Sequence, residues 1–294
     1  MVSTKRKIAL ARALSATIVT ARSIVGQSAV VTTRRRGATW RLDLHEGIDF
    51  ALYFGLYQQL PRRLSRWIKP GDLVLDLGAN VGAHTLVLAQ MTGADGRVVA
   101  VEPTNYGFGG LTHNIALNPE LSMRIIAVQA ELVAEEPKAT SSAGGQFYSR
   151  WPLRGGTDGR HPGHLGALES ASLAQALPLD ALIEKLRKEG RVTKPVSFIK
   201  LDVDGHELAV LRGAHQLLKR EHPPMLIEIA PHVQDEAPGR FEELLHTLRS
   251  FGYDLESAGS GKRLPMSAPE LRQHIGKGAS MDALALVEGG GPAP

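Results

Sequence analysis

The 294-residue sequence contains no cysteine. That absence excludes disulfides, cysteine-ligated zinc and a thiol nucleophile, and it fits a cytoplasmic protein. Long apolar runs are missing too. No segment approaches the ~20 consecutive apolar residues that span a bilayer, so no transmembrane segment is expected. The N-terminus is basic and then apolar, like the start of a signal peptide, but Arg12 and Arg22 interrupt it. Ile8, Ala11, Leu14, Ile18 and Val25 recur at roughly helical spacing and predict an amphipathic helix. Neither sign of charge dominates: 34 Lys and Arg oppose 30 Asp and Glu, a net charge of +4. Part of the surplus sits in two short runs, Lys5-Arg6-Lys7 and Arg34-Arg35-Arg36. Such runs read as solvated faces or tails, so no nucleic-acid partner is expected. No internal repeat is visible.

What the sequence does hold is alternation. After the first helix, Ala29–Thr33 and Thr39–Leu44 read as short strands, and Asp49–Ile68 has helical spacing broken by Pro61. Strand candidates follow at Leu73–Leu77, Arg97–Val101, Arg124–Gln129, Val196–Leu201 and Met225–Ile229, with a last pair at Tyr253–Ser257 and Ala283–Val287. Helix candidates lie between them at Ala83–Met91, Gly107–Leu117, Leu179–Lys188, Leu208–Lys219 and Phe241–Phe251. Asp180 suits the first turn of its helix. The stretch Glu135–Gly166, rich in Gly, Ser, Arg and His, is too long for an ordinary connection; it is either disordered or a lid. The tail Gly289–Pro294 is expected to be disordered. Alternating strands and helices predict an α/β fold, a doubly wound and mainly parallel sheet. The closing strand pair predicts an antiparallel hairpin at one edge, making seven strands. Residues 1–70 are expected to pack on this core or cap its cleft, and residues 71–294 to form the ligand-binding domain. A ligand should lie beyond the carboxyl ends of the strands, where strand order reverses.

The first of these strands ends in Asp76-Leu77-Gly78-Ala79-Asn80-Val81-Gly82. Its glycines let the backbone turn tightly and approach a ligand. The following helix offers free N–H groups and a positive dipole end, which suits the carboxylate of a methionine moiety. Asp76 is placed to accept from that moiety's ammonium group. About twenty residues on, the second strand ends at Glu102-Pro103, where a carboxylate can accept both ribose hydroxyls. The same plan serves NAD, and two glycines alone need only permit a tight turn. Gly-x-Asn-x-Gly in place of Gly-x-Gly-x-x-Gly, with an acid before it, favours a bound amino acid over a pyrophosphate. The third strand ends at Gln129-Ala130-Glu131, where adenine would lie; Gln129 or Glu131 either bonds its amino group or is a solvated strand end.

With these segments the chain resembles the FkbM family of methyltransferases. Further segments carry the resemblance: His113-Asn114-Ile115-x-Leu117-Asn118, Pro178-Leu179-Asp180, Leu42-Asp43-Leu44-His45-Glu46-Gly47-Ile48-Asp49 through Gly55-x-Tyr57, and Glu228 on the fifth strand. The most specific is Phe198-Ile199-Lys200-Leu201-Asp202-Val203-Asp204-Gly205-His206-Glu207, leading to Val210-Leu211-Arg212-Gly213-Ala214. The family often has Glu where Asp204 stands, Tyr at His84 and Glu at Gln58. The resemblance implies a class I methyltransferase-like sheet, S-adenosylmethionine as cofactor, and O-methylation of a hydroxyl on a sugar, polyketide or other secondary metabolite. The rivals are a nucleic-acid methyltransferase, an NAD(P)-linked oxidoreductase and a non-catalytic cofactor-binding protein.

A sulfonium methyl is already electrophilic, so the protein must align the acceptor oxygen and help remove its proton. Lys200 and Asp202 share one face of the fourth strand by alternation. Asp202 and His206 are the leading acceptor-side groups, with Lys200 and Glu207 as supports. The alternative is a structural Lys200–Glu207 ion pair with His206 as a turn residue. Glu228, in an apolar strand, needs a partner, either a substrate hydroxyl or Lys200. His45, Tyr57 and the loop bearing Arg150, Trp151, Arg154, Arg160, His161 and His164 form a substrate wall or a solvated loop. The acids here lack a visible second ligand pair, so no metal is expected.

Overall fold

The computed structural model describes residues 4–57, 60–137, 145–156, 160–161 and 165–287. The side chains of Lys5, Arg6 and Lys7, together with Gln58, Gly144, Gly163, His164 and the tail 289–294, lie outside the described residues. In chain order the elements are α1 (Thr4–Ile24), β1 (Val30–Arg35), β2 (Ala38–Asp43), α2 (Gly47–Tyr53), β3 (Leu73–Leu77), α3 (Thr85–Met91), β4 (Arg97–Val101), α4 (Asn105–Ala116), α5 (Pro119–Ser122) and β5 (Ile125–Val128). Then come β6 (Ala130–Leu132), β7 (Gln146–Arg150), β8 (Ala167–Ser170), β9 (Gln175–Leu177), α6 (Leu179–Lys188), β10 (Val196–Leu201), α7 (Glu207–Gly213) and α8 (His215–Glu221). The chain closes with β11 (Met225–Ile229), α9 (Pro231–Gln234), α10 (Arg240–Ser250), β12 (Tyr253–Ser257), α11 (Ala268–Ile275) and β13 (Met281–Val287).

Seven strands form the central sheet in the order β12-β13-β11-β10-β3-β4-β5. This is the class I methyltransferase-like arrangement. The antiparallel member, β13, lies second from the edge, between β11 and β12. Every residue of β3 is buried. A parallel strand covered on both faces reads as one unbroken apolar run, and Asp76 is the single polar interruption. The register of β10 against β3 sets Lys200 directly beside Asp76.

One expectation changes in detail. Leu208–Lys219 is not one helix: it splits at Ala214 into α7 and α8. A Cβ on Gly213 would sit 2.2 Å from the Val133 carbonyl oxygen, so the chain packs tightly here. Asp180 stands in the first turn of α6, as expected, and reaches a second helix as well. Its two carboxylate oxygens accept from Gln216 N (2.8 Å) and Leu217 N (2.9 Å), capping α8. The stretch from Glu135 holds β7, which pairs antiparallel with β8, while β6 pairs with β9.

Residues before the sheet share its core. Trp40, Leu42, Leu44 and Phe50 are buried with Val74, Leu86 and Phe198. The β1–β2 hairpin is tied down by the asparagines of α4 and the turn after it. Asn114 Oδ1 accepts from Arg41 N (2.9 Å), and Asn118 Oδ1 accepts from Thr39 N (2.8 Å). Asn118 Nδ2 donates back to Thr39 O (2.7 Å). Side-chain amides thus satisfy the free edge of β2, which explains the paired asparagines.

Asp49 pins the end of β2 by accepting from Asp43 N at 2.7 Å. Burial, opposed by that hydrogen bond, raises its pKa from 3.8 to about 7. The folded protein therefore holds this proton more tightly than the unfolded chain. The resulting stabilisation is complete below pH ~4 and is lost as pH rises through about 7. The loss is at most on the order of 4 kcal/mol. Asp49→Asn cannot titrate, so its thermal stability should fall less than wild type's between pH 4.5 and 7.5. Parallel curves for the two proteins would show that Asp49 is not the titrating group.

Candidate active site

A cavity of about 510 Å³ opens at the carboxyl ends of β3, β4, β10 and β11. Its lining includes Gly78, Asn80, Glu102, Ala130, Lys200, Asp202, His206 and Glu228. Position follows from topology: in an open parallel sheet the loops at these ends diverge and leave a crevice.

The glycine loop is forced into shape by close packing. Gly78, Asn80 and Gly82 all have positive φ, +80°, +48° and +91°. Asn80 organises the turn: its backbone N donates to Glu102 Oε2 (2.9 Å), and its Oδ1 accepts from Val81 N (2.9 Å). Its Nδ2 donates to Ser149 O (2.8 Å), which fastens strand β7 over the loop. Glu102 Oε1 accepts from the backbone and hydroxyl of Thr104. A carboxylate has about four acceptor sites, so Glu102 has room for one further donor, not the two expected from the sequence. Burial raises the pKa of Glu102.

Asp76 is fully buried and stands one layer behind the cavity wall. Its Oδ2 accepts from Thr85 Oγ1 (2.6 Å), and its Oδ1 lies 3.5 Å from Lys200 Nζ without a hydrogen bond. That orphaned oxygen beside a glycine turn fits the ammonium end of an amino-acid ligand reaching past Gly78. The donor set therefore suits S-adenosylmethionine.

Lys200 does not pair with Glu207 or Glu228. Its described partners are Asp76, Asp202 at 3.3 Å, and the Gly78 carbonyl at 2.9 Å. Those two carboxylates oppose its desolvation and hold its pKa up. Glu207 is buried beneath the turn, accepting from Val203 N (3.2 Å) and Gly205 N (3.3 Å). It props the β10–α7 turn and does not line the cavity. His206 does line it, with its ring 4.9 Å from that of Phe147. Desolvation lowers its pKa, so the imidazole is neutral at pH 7.

Sequence reasoning undervalued the grouping of acids. Carboxylate oxygens of Asp202, Asp204 and Glu228 lie within 4.8 Å of one another. Neighbouring strands β10 and β11 bring them together, which one-dimensional spacing hides. Burial, then the charge of Asp202, raises the pKa of both Asp204 and Glu228. The shift favours the protonated form, in which a carboxyl can donate as well as accept a hydrogen bond. Tyr57 lines the cavity with its ring 5.2 Å from His84, and Trp151 lines it from beyond β7.

Three expected site residues lie elsewhere. Gln129 donates to Asn105 Oδ1 (2.9 Å), and among the third strand's end residues Ala130 is the one on the cavity wall. His45 sits against Arg154, 3.3 Å from its guanidinium. Arg150 bonds Glu46 and Glu169 and stacks 4.5 Å from the Tyr106 ring centroid. It clamps β7 and β8 to the start of α2. Arg150→Met should therefore lower stability by about 1–3 kcal/mol, discounted for its partial exposure, with cofactor affinity unchanged. A raised acceptor KM without a fall in Tm would instead place Arg150 at the substrate.

Residues 76–255 match the model of the Methyltransferase FkbM domain, more than half of the chain. The chain belongs to the FkbM methyltransferase family. A curated relative, the hexuronic acid methyltransferase AglP of Haloferax volcanii, is 28% identical over 163 residues, 55% of this chain. The match spans 58% of that relative's length. Among solved structures, the FkbM methyltransferase of Methylobacillus flagellatus KT is 14% identical with a TM-score of 0.43, covering 73% of this chain and 43% of that one. Fibrillarin of Aeropyrum pernix, solved with S-adenosylmethionine, is 16% identical with a TM-score of 0.40, covering 89% and 85%. Among the described residues, no helix is long and apolar enough to cross a membrane.

Proposed function

We propose that the protein is an O-methyltransferase whose acceptor is a hydroxyl of a sugar or similar polyol. The observation that carries this is the acidic group at the cavity floor. Asp202, Asp204 and Glu228 offer both acceptors and donors within 4.8 Å of each other. Adjacent hydroxyls of a polyol are the natural complement to such a set. The hexuronic acid named for the curated relative points the same way.

S-adenosylmethionine, when bound, supplies the electrophilic methyl. The chain's own residues do the rest. Gly78 to Gly82 and Asp76 hold the amino-acid end, Glu102 takes one ribose hydroxyl, and Ala130 lies against the adenine. Asp202, anchored by Lys200, orients the acceptor hydroxyl and takes its proton, with neutral His206 as the second acceptor. Asp204 and Glu228 fix neighbouring hydroxyls. The β7–β8 hairpin, carrying Phe147 and Ser149, is a lid that excludes water. Residues 1–70 form a cap, because α1 and α2 supply part of the cavity wall.

The test is transfer of a radiolabelled methyl from S-adenosylmethionine to a panel of uronic acids, neutral glycosides, polyketide alcohols and RNA. Labelled sugar, with the label stable to base as an ether is, is the expected result. Base-labile label on a uronate would indicate carboxyl esterification, and label in RNA would overturn the acceptor class.

A further inference from the structure

The cavity does not end at its acidic floor. Its mouth is built by Leu10, Ala11 and Leu14 of α1 and by Ile48, Ala51 and Leu56 in and after α2. None of these side chains can form a hydrogen bond. Leu10, Leu14 and Leu56 are nevertheless 64%, 44% and 71% exposed. Leu10 and Leu14 stand one turn apart and so share a face of α1. Large aliphatic side chains clustered in water beside a binding cleft mark a surface that is covered during function.

Two observations decide what covers it. Leu56 adjoins Tyr57, whose hydroxyl lies in the electrostatic field of Lys200, Asp202 and Asp204. The apolar mouth is therefore continuous with the part of the cavity that holds the acidic group. The six mouth residues also precede residue 76, outside the segment that matches the family model.

We propose that the acceptor is amphiphilic. Its hydroxylated head reaches Asp202, and an apolar chain or ring system joined to that head lies against Leu10, Leu14 and Leu56. The identity of the head rests on the O-methyltransferase function proposed above; the apolar subsite does not.

The experiment separates the two by measuring binding as well as turnover. The full-length protein, saturated with S-adenosylhomocysteine, is titrated with methyl glucoside, octyl glucoside below its micelle concentration, and 1,2-octanediol. A chain that buries three or four methylenes should tighten binding about 50–200-fold. Octyl glucoside is expected to bind that much better than methyl glucoside. A Leu10→Ser/Leu14→Ser/Leu56→Ser variant is expected to lose the difference while keeping wild-type affinity for S-adenosylmethionine and wild-type Tm within a few degrees. Equal affinity for the two glucosides, or an octyl preference that survives in the variant, overturns the proposal. So does a wild-type dimer that the variant dissolves, because the leucines would then be an interface between copies. Leucine-dependent binding of the diol equal to that of octyl glucoside leaves the apolar subsite standing and removes only the sugar head.

Discussion

Gly78→Ala is expected to weaken S-adenosylmethionine binding by at least about 100-fold, ~2.7 kcal/mol. Two penalties act together. Gly78 has φ +80°, a conformation that costs an L-residue roughly 1–2 kcal/mol. More important, an added Cβ would lie 1.8 Å from the carbonyl oxygen of Asp202 and 2.9 Å from its carbonyl carbon. Both are backbone atoms, so no side-chain rotation relieves the clash. The turn after β3 must move away from the turn after β10. That movement stretches the bond from Asp202 N to Leu77 O (3.2 Å) and the one from Lys200 Nζ to Gly78 O (2.9 Å). It shifts Asp202 and Lys200 together with the glycine turn. Calorimetric titration with S-adenosylmethionine reads the effect directly. Gly109→Ala is the matched control: it lies in α4, nothing stands within 4 Å of its added Cβ, and better helix propensity should raise stability by up to ~1 kcal/mol. Near-normal binding by Gly78→Ala would mean that the loop is looser than its packing implies and is not the cofactor cradle.

The strands that enclose this site were legible because they are buried on both faces. Leu73–Leu77, Arg97–Val101, Val196–Leu201 and Met225–Ile229 have the bounds expected from their mainly apolar sequences. Glu102 and Asp202 were legible as the polar residues that directly follow two of these runs, and Asp76 as the single polar residue inside a third. The β7–β8 hairpin was not legible. Its order comes from tertiary bonds, such as Asn80 Nδ2 to Ser149 O, that leave no period in the sequence. The roles of Lys200 and Glu207 were assigned by nearness along the chain. Register instead gives Lys200 to Asp76, and the turn's free N–H groups claim Glu207. The N-terminal helix was legible as a helix, and its spacing left open whether it packs on the core or caps the cleft. Leu14 and Val25 fit the apolar spacing yet are 44% and 67% exposed. Amphipathic spacing shows which residues share a face, and only the packed structure shows what that face meets.

The second large effect is expected at Asp202. With the acceptor that the transfer assay identifies, Asp202→Asn should lower kcat about 10²–10⁴-fold, the usual worth of a general base. Affinity for S-adenosylmethionine should change only a few-fold, because Lys200 keeps Asp76 and the Gly78 carbonyl as partners. The substitution also has an electrostatic signature. The charge of Asp202 helps raise the pKa of Asp204 and Glu228. Removing it should move their titration to lower pH, so the basic limb of the residual rate profile, on which these donors lose their protons, should shift down as well. His206→Gln removes the neutral imidazole against Phe147 and should cost less, since a carboxylate fixed by a buried ammonium is the better-placed acceptor. The assignment turns on these two variants taken together. A large loss at Asp202 with a modest one at His206 places the proton on the strand end. The reverse order places it on the imidazole. Near-normal turnover in both removes the two residues from the chemistry. Asp204 and Glu228, the other members of the acidic group, would then be the next carboxyls to test.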